Sequence, residues 1–271
     1  MKKGTIYLSV IIIIFLFIVS CSTVPVTGRR QLNLIPSQTM LSMSYQQYSQ
    51  FVQSNKLSAD QAAKRQVKNI GLRIQLAVER YFAENGMRYK MQEYDWEFTL
   101  VESKDANAWC MPGGKVVIYT GILPYTQNED GLAVVMGHEI AHAVAAHGNE
   151  RMSQMMALQF GGLALAVALS QKPRETQNLW MAAFGLGAQV GLLLPYSRLH
   201  EYEADRLGLT FMSMAGYNPN EAVGFWERMS QKNKGGKPPE FISTHPSDYK
   251  RIANIKSLIP EVMPYYNEAK Q

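Results

Sequence analysis

The most constraining stretch of the chain is 129–148, where Glu129 and Asp130 open an apolar run that contains His138-Glu139-Ile140-Ala141-His142. The run predicts one helix. Asn128 is placed to cap its start, the two acids sit where the helix dipole favours them, and Gly148 marks the expected stop. Residues four apart share one face of a helix, one turn above the other. His138 and His142 therefore present two imidazoles that can hold one Zn²⁺, with Glu139 beside them, near enough to polarise water at the metal. The rest of the helix is almost entirely Ala, Val, Ile, Leu, Met and Gly, so it belongs in a core. Two histidines and a glutamate there are costly unless paired or metal-bound.

A catalytic zinc takes three protein ligands and leaves a position for water. The pattern H-E-x-x-H-x-x-G-x-x-H is excluded, because Ala145 and Gly148 stand where its glycine and third histidine belong. His147, one residue early, reads as a capping or supporting group. A carboxylate from a second helix is the other solution. Glu201-Tyr202-Glu203-Ala204-Asp205 lies in a helical stretch that begins near Ser197, and it puts Glu201 and Asp205 one turn apart on one face. Glu201 is the candidate third ligand. Asp205 is the candidate acceptor for His138, which fixes the tautomer of that ring. Glu203 points elsewhere. His245, before Pro246 at a helix start, reads equally as a cap or as a donor to the oxyanion of peptide-bond attack, with Arg251 on the same helix to assist.

The remaining chain frames this site. With 46% hydrophobic and 18% charged residues it can build a globular core. The formal charge is +5, part of it on Lys2 and Lys3, and no basic cluster suits a nucleic acid. Lys2, Lys3 and the apolar run 6–19 read as a secretion signal over 1–20. Ile18-Val19-Ser20-Cys21 is similar to a bacterial lipobox, which implies cleavage before Cys21 and lipidation of it; Ser22 in place of Asp favours the outer membrane. Cys110 then lacks an intrachain partner, so no disulfide framework is expected. Residues 21–37 read as a lipidated tether and 38–271 as one domain. Helices are expected over 37–53, over 58–85 behind a Ser58-to-Gln61 capping box, over 218–231, and from 243–248 to 258. Strands are expected at 96–101 and 115–120. Between them, Asn107-Ala108 and Pro112-Gly113-Gly114 form either a plain hairpin connection or a sheet edge beside the metal, able to pair with an extended peptide. The apolar, Ala- and Gly-rich runs 152–170 and 179–194 read as a helical hairpin, buried or dipping into a membrane rather than spanning it.

Taken in order, His138-Glu139-Ile140-Ala141-His142, Glu201-Tyr202-Glu203-Ala204-Asp205, and Thr244-His245-Pro246 followed by Arg251 resemble the HtpX and CAAX-prenyl-protease family of zinc metallopeptidases, in its single-domain bacterial lipoprotein branch. Asn107-Ala108, Pro112-Gly113-Gly114 and Val26-Thr27-Gly28-Arg29-Arg30-Gln31 match as well. The resemblance implies an α+β fold, mainly α, that is zincin-like with a small β-sheet. It implies one Zn²⁺ per chain on His138, His142 and Glu201, catalysis by Glu139 and His245, support from Asp205 and Arg251, and substrate along Asn107, Ala108, Pro112 and Gly113. It further implies hydrolysis of peptide bonds in misfolded or misassembled cell-envelope proteins, from a lipid-anchored position on the bacterial outer membrane facing the periplasm. The chain lacks a multi-span pattern, so the prenyl-protein role is not carried over. The rival reading is a lipid-anchored chaperone or assembly factor with a structural or latent metal site, whose hairpin holds clients.

Overall fold

The computed structural model describes residues 21–24, 27–170, 172, 174–189, 193–232, 239–246 and 249–271; the expected secretion signal lies outside the described residues. The described chain is mainly helical with a small three-stranded sheet, the expected α+β class. It divides into two compact units, 41–145 with 200–271, and the described part of 1–40 with 146–199.

The first unit holds the sheet. Its strands are β3 (Glu97–Val101), β4 (Ala108–Met111) and β5 (Lys115–Tyr119), in the order β3-β5-β4. β3 and β5 are parallel, and β4 runs antiparallel to β5. The two expected strands are thus not the arms of one hairpin. The stretch between them supplies a third strand, and Pro112-Gly113-Gly114 turns β4 into β5. Gly113 and Gly114 both have φ +86°, which glycine adopts without steric cost. One sheet face packs on helix α1 (Ser37–Ser54), where Tyr48, Phe51 and Val52 meet Val101, Trp109, Met111, Val117 and Tyr119. The other face meets α2 (Gln61–Glu84), whose Gly71 lies against the Phe98 ring, and the histidine helix. The cap of α2 is Asp60, not Ser58: Asp60 Oδ1 accepts from the Ala62 and Ala63 N–H groups, while Ser58 Oγ accepts from Asp60 N–H.

After a short helix α3 (Leu123–Thr126), helix α4 spans Glu129–Val144, and Asn128 caps it by accepting from Gly131 N–H. It ends before the expected Gly148. Ala146 takes φ +57°, and the next helix begins at His147. A left-handed alanine carries no sequence signature of a stop, whereas Gly148 is helical. Helix α7 (Leu194–Met214) passes behind α4. α8 (Glu221–Lys232), α9 (Glu240–Thr244) and α10 (Tyr249–Ala269) complete this unit.

In the other unit, β1 (Cys21–Thr23) and β2 (Arg30–Leu32) form an antiparallel pair at the foot of α5 (His147–Leu169), which is followed by α6 (Arg174–Ala188). The segment read as a tether makes contacts with α5 along its described residues. Arg29 makes two hydrogen bonds to the buried Glu150 at 2.6 and 2.8 Å, Ser153 Oγ accepts from Leu34 N–H, and Asn149 donates to the Ile35 carbonyl. The α5–α6 pair is a helical hairpin as expected, but it is not buried: Met155, Phe160, Leu163, Val167, Leu179 and Trp180 are exposed.

Candidate metal centre

Three separate stretches of the 41–145 and 200–271 unit converge on one point. α4 brings His138 and His142, α7 brings Glu201 and Asp205, and the turn after α9 brings His245. The helices that carry the first two sets cross at glycines: Gly137 and Gly208 meet backbone to backbone. No side chain intervenes, so the histidine face of α4 lies directly against the carboxylate face of α7.

The donor atoms of His138, His142, Glu201 and His245 lie within 4.8 Å of one another. His138 Nε2 is 3.1 Å from His142 Nε2, 3.4 Å from Glu201 Oε2 and 3.2 Å from His245 Nδ1. His142 Nε2 is 3.4 Å from Glu201 Oε1, and His245 Nδ1 is 3.1 Å from that oxygen. Ligands about 2.0–2.1 Å from a tetrahedral zinc stand about 3.3 Å apart, so this donor set fits the ion. Imidazole nitrogens crowded against each other in a buried pocket call for a cation to share.

The surroundings are charged and buried. His138 Nδ1 is 3.1 Å from Asp205 Oδ1, the pairing expected from the sequence. Arg251 grips Asp205 with two bonds of 2.8 Å, reaches Glu201 Oε2 at 2.9 Å, and donates to the carbonyls of His245 and Pro246. It thus lies behind the donors. Burial raises the Glu201 pKa, but bonds from the three histidines carry it far below the carboxylate range. Burial likewise opposes the charge of Asp205, and Arg251 more than reverses this, leaving its pKa lowered. Glu139 differs. Burial pushes its pKa up, with His245 and His138 offsetting part of the rise. Its Oε1 lies 3.3 Å from His245 Nε2 yet makes no well-formed hydrogen bond.

His245 caps the end of α9 rather than the start of a helix. It follows α9, its N–H donates to the Phe241 carbonyl, and its ring joins the donors. His147 is buried at the start of α5 and is not in the donor group. Glu203 is likewise outside it. Asn107 and Ala108 lead into β4, an edge strand that packs on α4. The Asn107 side chain accepts from Ala108 N–H. Pro112 and Gly113 sit at the opposite end of β4, where Ser44 and Asp95 bond their carbonyls. Sequence reasoning missed Trp226 and Phe241. The Arg251 guanidinium lies 3.7 Å above the Trp226 ring, and Trp226 and Phe241 both pack edge-on to His138. Both come from stretches with no metal-ligand pattern.

The chain matches peptidase family M48 over residues 71–259, a span that contains every donor. It is 38% identical over 191 residues to the mitochondrial metalloendopeptidase OMA1 of Schizosaccharomyces pombe, covering 70% of this chain and 53% of that protein. Bovine mitochondrial metalloendopeptidase OMA1 is 30% identical over 249 residues, covering 88% and 46%. The beta-barrel assembly-enhancing protease of Yersinia pestis is 27% identical over 180 residues, covering 65% and 37%. The chain spans about half the length of the OMA1 relatives it matches. These matches correct one expectation. The fission-yeast and bovine relatives are mitochondrial by name, so the matches speak against the expected place on the outer membrane of a bacterium. The family match and the converged H-E-x-x-H helix lead to one assignment: the chain belongs to peptidase family M48 and is a metallopeptidase.

Proposed function

We propose that the chain is a zinc endopeptidase acting on proteins, with one Zn²⁺ held by His138, His142 and Glu201. The observation that carries this reading is Glu139 Oε1, buried and without a hydrogen-bond partner beside a donor set spaced for a metal. Bound zinc would supply Lewis acidity toward water and the peptide carbonyl. Glu139 takes the proton of the attacking water and delivers it to the leaving amine. Its raised pKa suits a group that must both accept and release a proton. Asp205 orients His138, and Arg251 balances the charges of Asp205 and Glu201. His245 donates from Nε2 to the oxyanion. The open edge of β4, entered at Asn107 and Ala108, takes an extended substrate as an added strand, and Pro112 and Gly113 hold the turn at its far end.

Within M48, the order of motifs favours the HtpX-like branch of single-domain lipoproteins. Removal of 1–20, lipidation of Cys21 and a folded 38–271 peptidase domain belong to the same reading, and palmitate labelling of the wild type against Cys21→Ser tests the lipid. The Yersinia relative is named for enhancing beta-barrel assembly, which supports misfolded or misassembled envelope proteins as clients. The test of the peptidase is zinc content with casein digestion for the wild type and Glu139→Gln. The variant should keep its zinc and lose turnover. Proteolysis retained in Glu139→Gln would overturn the assignment, and zinc without activity in the wild type would favour the chaperone reading.

A further inference from the structure

The geometry of α5 and α6 points to a second contact surface: we propose that this hairpin inserts into a phospholipid bilayer. The foot of α5 is tied down. Asn149, Glu150, Ser153 and Gln154 are buried, and three of them bond the 27–35 segment. Beyond Gln154 the helix leaves its cover. Phe160 and Leu163 are each 63% exposed, Val167 is 66% exposed, and Leu179 on α6 is 70% exposed. Met155 and Met156 extend the apolar surface around the helix, so the surface is not a single stripe. A helix apolar all round is stable inside a protein core or inside lipid, and beyond Gln154 this one is exposed over most of its described surface.

Length and charge select lipid. α5 has 23 residues and is long and apolar enough to cross a membrane. The 15 residues beyond Gln154, at about 1.5 Å per residue, reach about 22 Å into a hydrocarbon core of about 30 Å. Charged residues bracket it: none occurs between Arg151 and Lys172, and after Arg174 and Glu175 none occurs before Arg198. Arg151 thus sits at the foot of the hairpin and Lys172 and Arg174 at its tip, where long basic side chains can extend toward phosphate. The two helices also close on each other as lipid-embedded helices do. A Cβ at Gly161 would lie 3.3 Å from the Phe184 ring, and one at Gly162 3.4 Å from it. The Gln177 side chain donates to the Lys172 carbonyl and so satisfies a polar group at the tip.

The test uses the full chain in phosphatidylcholine vesicles, with plain or brominated acyl chains. Bromine quenches tryptophan on contact. Trp180 is one of four tryptophans and is exposed on α6, so the wild type should lose about a quarter of its emission in brominated vesicles. Trp180→Phe should lose almost none. No quenching in the wild type, or equal quenching in Trp180→Phe, overturns the proposal. As a second readout, Leu163→Cys should resist an impermeant maleimide in vesicles and react once detergent is added, while Tyr89→Cys reacts in both. Reaction of Leu163→Cys in intact vesicles overturns the proposal. Protection without lipid that grows with protein concentration also overturns it, because a second copy would then be the occupant.

Discussion

Gly208→Ala adds one methyl group at the crossing of α7 with α4. The new Cβ would stand 2.8 Å from the His138 nitrogen and 2.9 Å from the Gly137 carbonyl carbon, both backbone atoms. Ordinary contact lies near 3.5 Å, so the two helices must part locally by about 0.7 Å. Metal sites tolerate ligand displacements of about 0.2 Å. Glu201 therefore cannot keep its place relative to His138 and His142, and zinc affinity should fall by about a hundredfold, or about 2.7 kcal/mol. The metal-free chain should lose less. Overpacking costs about 1–3 kcal/mol, and the better helix propensity of alanine returns about 1 kcal/mol. The assay is zinc competition against a chromophoric chelator, paired with thermal unfolding in excess chelator. Gly148→Ala is the control: nothing lies within 4 Å of its added Cβ, so zinc affinity should not change. A folded Gly208→Ala protein that binds zinc like the wild type would refute the claim that this glycine contact sets the ligand spacing.

Four further outcomes follow from the same geometry. Asp205→Asn removes the charge that orients His138 and pairs with buried Arg251, and it should weaken zinc binding by about 10–100-fold in the same competition assay. In the metal-free chain, burial pulls the His138 pKa down, but bonds to Asp205 and Glu201 outweigh this and hold it raised to about 9. His138 then carries a proton at pH 7 that zinc must displace, so uptake should release a proton and apparent affinity should rise with pH until about 9. Calorimetry in two buffers of different protonation enthalpy reads the proton, and zero release would contradict the shift. The same raised value stabilises the metal-free fold fully below the ordinary 6.5, and that contribution fades as pH rises through about 9, which melts in chelator will show. Trp226→Leu withdraws the ring beneath Arg251 and leaves space in the core; urea unfolding should show a loss of about 2–4 kcal/mol, with weaker zinc binding alongside.

The parts of the site that depend on helix spacing could be read from the chain. His138 with His142, and Glu201 with Asp205, are i, i+4 pairs, and one periodicity fixes the face of each. What no local pattern carries is which faces meet. The grip of Arg251 on Asp205 and Glu201, the aromatic wall of Trp226 and Phe241, and the entry of the His245 ring among the donors all depend on contacts between distant stretches. Ala108-Trp109-Cys110-Met111 has neither alternation nor β-branched residues, so the local pattern leaves this stretch open between a connection and a sheet edge; pairing with β5 makes it a strand. The early end of α4 was hidden by an alanine in a glycine conformation. Composition alone cannot separate an apolar hairpin that is covered by protein from one that is bare. The exposure of Phe160 and Leu163 supplies that distinction.

The donors and their supports come from 138–142, 201–205 and 245–251, so the site closes two long loops of chain. Such contacts form late, because the entropy of loop closure must be met before they reward it. During synthesis, a chain that has made His138, His142 and Glu201 still lacks Arg251, and Glu201 and Asp205 would then be buried together without their shared cation. The charge balance of the centre is thus complete only once the chain has been made past Arg251.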